Sequence, residues 1–491
     1  MSSWARRPGT WVAVLVAILA SRLLSMAIFP FVDTTEPRYA EIARLMVETN
    51  DWITPWFEAG VPFWGKPPLS FWAQAGAIKL FGLNEFALRL PSWLCIVAIV
   101  WLTWRYALVA YNERIARWSA LILSTMALTY ISAGAVMTDP FLALGTTLSL
   151  VSFGMVVAQR GAVWRWLFFV GLVIGMLAKG PLAVVLVGLP VALWSVFRCR
   201  WYFHLRDLPW FRGTLLTLAL VLPWYIAAEF KTPGFLDYFI VGEHIKRFID
   251  PGWAGDMYGS AHVRPKGMIW VFWLWASFPW GIIVAVGLLA GLVKGYRRTL
   301  CKFLDFDKYM QFIVLSALAP LLFFTMASNT LWTYVLPSLP FSAIVMANGI
   351  AFYERRRREA DKLAFPAMVA VPFLTTVFAI IMTASQAALK TEQVIAEYYA
   401  SQSRPGDSQL FYLDDLPFSA GFYSRGNAVQ ASLDDVLRMR ESGQFQRYFL
   451  AVPKQEEPVV LQQLPASTQV ATENRRYVLL QFGEQMSRTE G

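Results

Sequence analysis

Between Asp33 and Trp72 the sequence mixes carboxylates, cations and aromatic residues, and apolar runs lie on either side. The stretch opens Asp33-Thr34-Thr35-Glu36-Pro37-Arg38-Tyr39-Ala40-Glu41 and closes Phe63-Trp64-Gly65-Lys66-Pro67-Pro68-Leu69. Carboxylates beside cations can divide the labour of a group transfer. The carboxylate takes a proton from an incoming hydroxyl, and the cation holds the negative charge that develops elsewhere. Farther along, Asp139, Lys179, Glu243, His244 and Tyr334 stand near the ends of apolar stretches, with Arg247 close by. An ionisable side chain at membrane depth is costly unless paired or hydrated, so each is a functional candidate by default. Singly, Arg38 or Arg247 is explained by a lipid phosphate, and Lys179-Gly180-Pro181 by a helix break. Convergence of the whole set on one membrane face has no such simple explanation.

The elements that must position these residues are membrane spans. The chain has 491 residues, of which 57% are hydrophobic and 15% charged, and its mean hydropathy is +0.46. That composition belongs to a polytopic membrane protein. A span needs roughly 20 apolar residues, and eleven stretches qualify: 11–29, 90–110, 116–134, 140–158, 163–178, 181–197, 213–229, 268–293, 310–327, 333–352 and 363–384. The fold class expected is therefore an all-α polytopic membrane protein, with a transmembrane domain over 1–385.

Orientation follows from the tendency of Lys and Arg in short loops to stay inside. Arg6 and Arg7 put the N-terminus in the cytoplasm. Alternate counting then places inside the loops with Arg114, with Arg160 and Arg165, with Arg198, Arg200, Arg206 and Arg212, with Lys294, Arg297, Arg298 and Lys302, and with Arg355 to Arg358. Residues 30–89, 230–267 and the polar tail fall outside. The net charge of +10 thus reflects topology and excludes a nucleic-acid partner, since no basic domain or stripe exists. The first span, longer than a signal-peptide core and without a small-residue cleavage site, reads as a retained anchor. Cys95, Cys199 and Cys301 lack the spacing of a disulfide framework or metal site.

The tail changes character. Runs at Gln409–Leu413, Tyr448–Val452 and Tyr477–Gln481 read as strands, with helical patterns at Ser432–Glu441 and Glu456–Leu464. Residues 386–491 are therefore expected to form a soluble α/β domain. It contains no glycine-rich phosphate loop, and no internal repeat is evident along the chain.

Carboxylates beside lysines at an outer membrane face suit a lipid-linked phosphate donor, which implies glycosyl transfer from a polyprenyl phosphate. The motifs Thr35-Glu36-Pro37-Arg38-Tyr39-Ala40-Glu41-Ile42-Ala43-Arg44, Asp51-Trp52-Ile53-Thr54-Pro55, Lys66-Pro67-Pro68, Asp139-Pro140, Lys179-Gly180, Glu243-His244-Ile245-Lys246-Arg247-Phe248 and Tyr334-Val335-Leu336-Pro337 occur in this order. The ordered set resembles the bacterial aminoarabinose transferase family, which is related to the protein O-mannosyltransferases and shares their multi-spanning GT-C glycosyltransferase fold. The resemblance implies an inner-membrane enzyme that takes a sugar from undecaprenyl phosphate at the periplasmic face and joins it to lipid A, another glycan or a protein. It assigns Glu36 and Asp139 to the acceptor or the reaction geometry, and Lys66 and Lys179 to the donor phosphate, with Arg38 beside them. Tyr39, Glu243, His244, Arg247 and Tyr334 would line the same cavity.

Two positions depart from the family pattern. Thr35 stands where relatives carry Asp, with Asp33 two residues earlier, which leaves the general base open between Asp33, Glu36 and Asp139. Gly65 stands where the aminoarabinose enzymes carry Glu, which leaves the sugar open. No cofactor is implied with certainty. A divalent cation would depend on Asp33, Glu36 and Asp139 meeting in space. The rival function, a flippase for a lipid-linked sugar, usually shows two related halves with polar sites at the bilayer midplane. The charges here gather at one face instead. A scaffold built on the tail leaves the first-loop charges unexplained.

Overall fold

The computed structural model describes residues 8–58, 60–197, 206–250, 253, 255–259, 262–293, 307–354, 360–385, 388–404 and 406–483. Cys199, Cys301 and most of the loop cations expected above to lie inside, namely Arg6, Arg7, Arg198, Arg200, Lys294, Arg297, Arg298, Lys302 and Arg355 to Arg358, lie outside the described residues. The chain divides into two compact units, one of residues 1–26 and 46–376, the other of 27–45 and 377–491.

The first unit is helical. Among the described residues, helices long and apolar enough to cross a membrane are Gly9–Ile28, Glu85–Ala110, Asp139–Val157, Trp210–Lys231, Lys308–Thr325, Trp332–Ala351 and Ala364–Ala384, the first and last running on into the second unit. Met268–Ala276 and Trp280–Gly287 form an eighth if the pair, bent by 114°, is one span. The chain is thus a multi-pass membrane protein, and seven of the eleven expected spans, or eight with the bent pair, meet the length and apolarity of a crossing among the described residues. The expected span 116–134 breaks at Met126, whose extended backbone (ψ 137°) separates helix Glu113–Thr125 from Ala127–Ser132. The stretches 163–178 and 181–197 are helices of 17 and 16 residues, Val163–Lys179 and Leu182–Phe197, short of the roughly 20 that a span needs.

Local chemistry sets several helix starts. Asn84 accepts from Ala87 N at 2.8 Å, Asn112 from Ile115 N at 3.1 Å, and Asp307 from Met310 N at 2.7 Å, each satisfying an otherwise orphaned amide. The core gathers these helices around buried residues such as Tyr106, Phe153, Trp194 and Phe312. Helices Asp139–Val157 and Val163–Lys179 make the closest approach. A Cβ on Gly145 would lie 2.5 Å from the amide nitrogen of Gly175 and 2.7 Å from the carbonyl of Gly171. Small residues that let two backbones touch are a common device in membrane helix pairs. Ser149 Oγ donates to Phe168 O at 2.8 Å across the same seam. Ser149 meets Phe168, Gly145 meets Gly171 and Gly175, and Asp139 meets Lys179, so the pair is antiparallel.

The second unit carries a five-stranded mixed sheet, built of β3 (Ser408–Leu413), β4 (Ala428–Ala431), β5 (Arg447–Pro453), β6 (Gln469–Glu473) and β7 (Tyr477–Gly483), in the order β4-β3-β5-β7-β6. Strand β3 is parallel to both neighbours, and β7 is antiparallel to β5 and β6. Alternate residues face opposite ways. Phe411, Leu413, Leu450, Val452 and Leu480 pack on one face, and Leu410, Tyr412, Phe449, Ala451 and Leu479 on the other. The three strands expected in the tail are present, and Ser432 caps the expected helix, Leu433–Glu441, by accepting from Asp435 N. Strands β4 and β6 were not expected. Their burial patterns, with exposed residues at half or more of the positions, leave no apolar run to read. In the first unit, β1 (Trp56–Glu58) and β2 (Val61–Pro62) form a small hairpin just before Lys66.

Candidate active site

The helix pair delivers its first two polar residues together. Asp139 is at the N-terminus of one helix and Lys179 at the C-terminus of its antiparallel neighbour, so both lie at the same end of the pair. Each charge also suits its own helix dipole, negative at the N-terminus and positive at the C-terminus. Lys179 Nζ donates to Asp139 Oδ1 at 2.7 Å, with side chains only 8% and 12% exposed. Gly180 follows with a positive φ of 69°, and a Cβ there would meet the Phe239 ring at 2.7 Å. Lys179-Gly180 therefore ends the helix and admits an aromatic ring against the turn.

That ring belongs to a π-helical segment, Asp237–Lys246, a conformation often found at functional sites. The segment holds His244 between two carbonyls, with Nδ1 2.7 Å from Phe239 O and Nε2 3.0 Å from Lys179 O. Burial pushes the His244 imidazole below its ordinary value of 6.5, and Lys66 pushes the same way against the two carbonyls. Tyr334, on the 3₁₀ turn Trp332–Ser338, places its ring under Lys179, with Nζ 5.0 Å from the centroid.

Beside His244, Glu243 joins two cations. Lys66 Nζ donates to Glu243 Oε2 at 3.0 Å, and Arg247 Nη1 reaches both Glu243 oxygens at 2.8 and 3.0 Å. Burial raises the Glu243 carboxyl, but Lys66 and Arg247 outweigh it and hold the group below the ordinary 4.5. Asp256 approaches Arg247 at 3.4 Å, and Tyr238 Oη lies 3.4 Å from Glu243 Oε1. The loop carrying Lys66 is fixed through Tyr258, whose hydroxyl accepts from Trp64 N at 3.0 Å and donates to Pro62 O at 2.6 Å. Burial pushes that phenol up to about 12. At Gly65 a Cβ would lie 2.9 Å from the buried Phe63 ring, which explains why a small residue stands next to Lys66.

Seven candidates thus form one connected cluster in the first unit: Lys66, Asp139, Lys179, Glu243, His244, Arg247 and Tyr334. The other four lie in the second unit. Glu36 sits in the first turn of helix Thr35–Thr49, and the Arg38 guanidinium lies 5.1 Å from the Tyr39 ring centroid and 5.9 Å from that of Phe418. Asp33 has a different environment. Its carboxylate accepts from Ser419 N at 2.9 Å and Ser419 Oγ at 2.6 Å, pairs with Arg476, and is 2% exposed. Arg476 also bonds Glu392 at 2.8 Å. The sequence reading missed Asp256, Tyr238 and Tyr258. The polar run Gly255-Asp256-Met257-Tyr258 inside the second outer loop was the available signal. Among the described residues no group of three or more His, Cys, Asp and Glu stands together as metal ligands would.

Residues 10–239 match the family model described as dolichyl-phosphate-mannose-protein mannosyltransferase. The fold as a whole is similar to the crystal structure of ArnT from Cupriavidus metallidurans bound to undecaprenyl phosphate, with a TM-score of 0.78 and 18% identity over 97% of this chain and 98% of that one. The chain has the fold of that ArnT. It is also 31% identical over 328 residues to the undecaprenyl phosphate-alpha-4-amino-4-deoxy-L-arabinose arabinosyl transferase 1 of Pseudomonas fluorescens (strain Pf0-1), a match covering 64% of this chain and 53% of that one. To the corresponding transferase of Photorhabdus laumondii it is 30% identical over 325 residues, 64% of this chain and 54% of the relative. The chain spans about half the length of these curated relatives.

Proposed function

We propose that the chain is a membrane glycosyltransferase that moves a sugar from undecaprenyl phosphate to a hydroxyl of lipid A, another glycan or a protein. The observation that carries this reading is the Lys66–Glu243–Arg247 cluster beside the Asp139–Lys179 pair, in a fold similar to that of an ArnT bound to undecaprenyl phosphate. Two cations at a donor phosphate, next to a buried carboxylate, are what a displacement at an anomeric carbon needs.

In the proposed reaction the acceptor oxygen attacks the anomeric carbon as the bond from that carbon to the phosphate oxygen breaks. The electron pair leaves with the polyprenyl phosphate, held by Lys66 and Arg247, and the anomeric centre is inverted. The acceptor proton passes to a carboxylate. That base is Asp33, Glu36 or Asp139, of which Asp33 pairs with Arg476 and Asp139 with Lys179. Lys179 and Arg38 also serve the donor phosphate, and Tyr39, Glu243, His244 and Tyr334 line the substrate cavity.

Glu113–Ser132, Val163–Lys179 and Leu182–Phe197, added to the seven long helices and the bent pair, would complete eleven crossings. In that topology the cluster faces the periplasm of the inner membrane, and residues 386–491 form an outer α/β domain.

The test is mass spectrometry of lipid A, envelope glycans and proteins from cells lacking the chain, re-supplied with the native form or Asp139→Asn. A sugar-sized increment restored only by the native chain supports the reading and names the acceptor. No sugar difference in any envelope fraction overturns it.

A further inference from the structure

We propose that Glu243 makes the Lys66–Arg247 site discriminate between a phosphodiester and a phosphomonoester, so that the site holds the sugar-loaded donor and expels the spent carrier. The inference rests on the glycosyl-transfer reading above. Before transfer the carrier phosphate is a diester with a single negative charge. Once the sugar has left it is a monoester, which carries roughly −1.5 to −2 at neutral pH because its second ionisation falls near pH 6. A site built of two cations alone would grip the product harder than the substrate, and turnover would stall on release.

The charges around Glu243 oppose that outcome. Lys66 and Arg247 are positive, Glu243 and Asp256 negative, and the four cancel. The groups packed around them add no further charge. His244 is held below 6.5 by burial and is neutral at pH 7. Burial keeps the phenols of Tyr238 and Tyr258 protonated. Tyr334 contributes a neutral ring, and Lys179 is paired with Asp139. Glu243 itself is 6% exposed and lies below 4.5, so it stays ionised through the range in which a phosphomonoester titrates.

An incoming anion need not displace Glu243. The Lys66 and Arg247 side chains are 20% and 18% exposed, so a phosphate can reach both cations while Glu243 keeps Nη1. The anion is then held beside a fixed negative charge. One unit of phosphate charge is tolerated there, and nearly two are repelled. Glu243 is thus a specificity-determining residue, acting on the charge of the phosphate rather than on the sugar.

The experiment measures binding of undecaprenyl phosphate and of its methyl ester, a sugar-free diester, to the purified full chain in nanodiscs. The native chain, Glu243→Gln and Glu243→Asp are compared at about pH 8 and about pH 5.5, either side of the monoester's second ionisation. Glu243→Gln should tighten the monoester about tenfold or more at the higher pH and the methyl ester only about threefold, since the energy of removing one nearby charge scales with the charge of the ligand. At the lower pH the two ligands should respond alike, and Glu243→Asp should keep the native ratio. If Glu243→Gln shifts both ligands equally, or weakens both, Glu243 only positions the cations and the inference fails. If neither ligand binds the native chain, the donor reading itself fails. No turnover is required, so the two failures are distinguishable.

Discussion

Lys66→Ala is the substitution whose effects on folding and on chemistry the structure separates best. Lys66 is 20% exposed, and its carboxylate partner Glu243 is 6% exposed. Removing one partner of a buried pair usually strands the other, at a cost of about 3–5 kcal/mol. Here it does not, because Arg247 reaches both Glu243 oxygens from one nitrogen at 2.8 and 3.0 Å. The carboxylate stays neutralised, and the loss in stability should be only that of a charge-assisted hydrogen bond, about 1.5–3 kcal/mol before solvent replaces the contact. The chemical cost is different in kind. If Lys66 holds the leaving phosphate, its contribution grows as the bond to the sugar breaks, and losing one such group costs about 2–4 kcal/mol. That corresponds to roughly 30- to 1000-fold in kcat. The assay is sugar transfer per folded molecule in detergent or nanodiscs, with thermal unfolding recorded on the same preparation. Turnover should collapse while most of the protein remains folded, and Lys66→Arg should recover part of it. Turnover within threefold of native per folded molecule would refute the placement of the donor phosphate at Lys66.

Three further outcomes follow from neighbouring contacts. Asp139→Asn leaves the Lys179 ammonium, 8% exposed, without its carboxylate, and should cost about 3–5 kcal/mol in unfolding measurements. Asp139→Asn/Lys179→Met should regain most of that stability but no activity; a double variant that regains turnover would reduce Asp139 to a counter-ion. In the second unit, Arg476→Met leaves Asp33 and Glu392, 2% and 0% exposed, without a cation. It should lower Tm far more than Asp33→Asn, and equal small shifts would contradict the ion-pair geometry. His244, lower than 6.5 in the fold, binds fewer protons folded than unfolded. Its contribution is therefore complete above pH 6.5 and lost as pH falls through the folded value. A Tm profile over about pH 5–8 should slope down toward acid and flatten in His244→Gln; an unchanged slope would show that the imidazole is not the group responsible.

What could be read from the sequence divides along physical lines. Long apolar runs announce spans because lipid leaves few other options for a buried backbone, and short, nearly continuous apolar runs announced β3, β5 and β7. Short or half-exposed elements gave no such signal. Met126 breaks a helix without a Gly or Pro to mark the break, and β4 has outward-facing residues at its centre. In the site, residue type identified Lys66, Asp139, Lys179 and Glu243, but pairing did not follow from it. Lys66 and Glu243 are 177 residues apart, and Lys179 and Asp139 are 40 apart. Asp33 shows the limit most clearly. By composition it was as good a base as Glu36, and only the fold reveals that Ser419 and Arg476 engage both of its oxygens.

The arrangement of the first unit's cluster argues for a site shaped by close backbone contact rather than by side-chain length. Gly145, Gly171 and Gly175 let two antiparallel helices touch, and that contact sets Asp139 opposite Lys179. Gly180 then admits Phe239 against the turn, and His244, five residues on, bonds the Lys179 carbonyl. Glu243 adjoins His244 on the same segment, so the pairing of Lys66 and Arg247 is fixed through the same turn. A side chain at Gly180 would therefore disturb both halves of the cluster at once. A Cβ there lies 2.7 Å from Phe239 and 3.3 Å from His244, and the positive φ adds backbone strain of about 1 kcal/mol. The Lys66–Glu243–Arg247 cluster and the Asp139–Lys179 pair are thus mechanically one unit, joined at a position where only glycine fits.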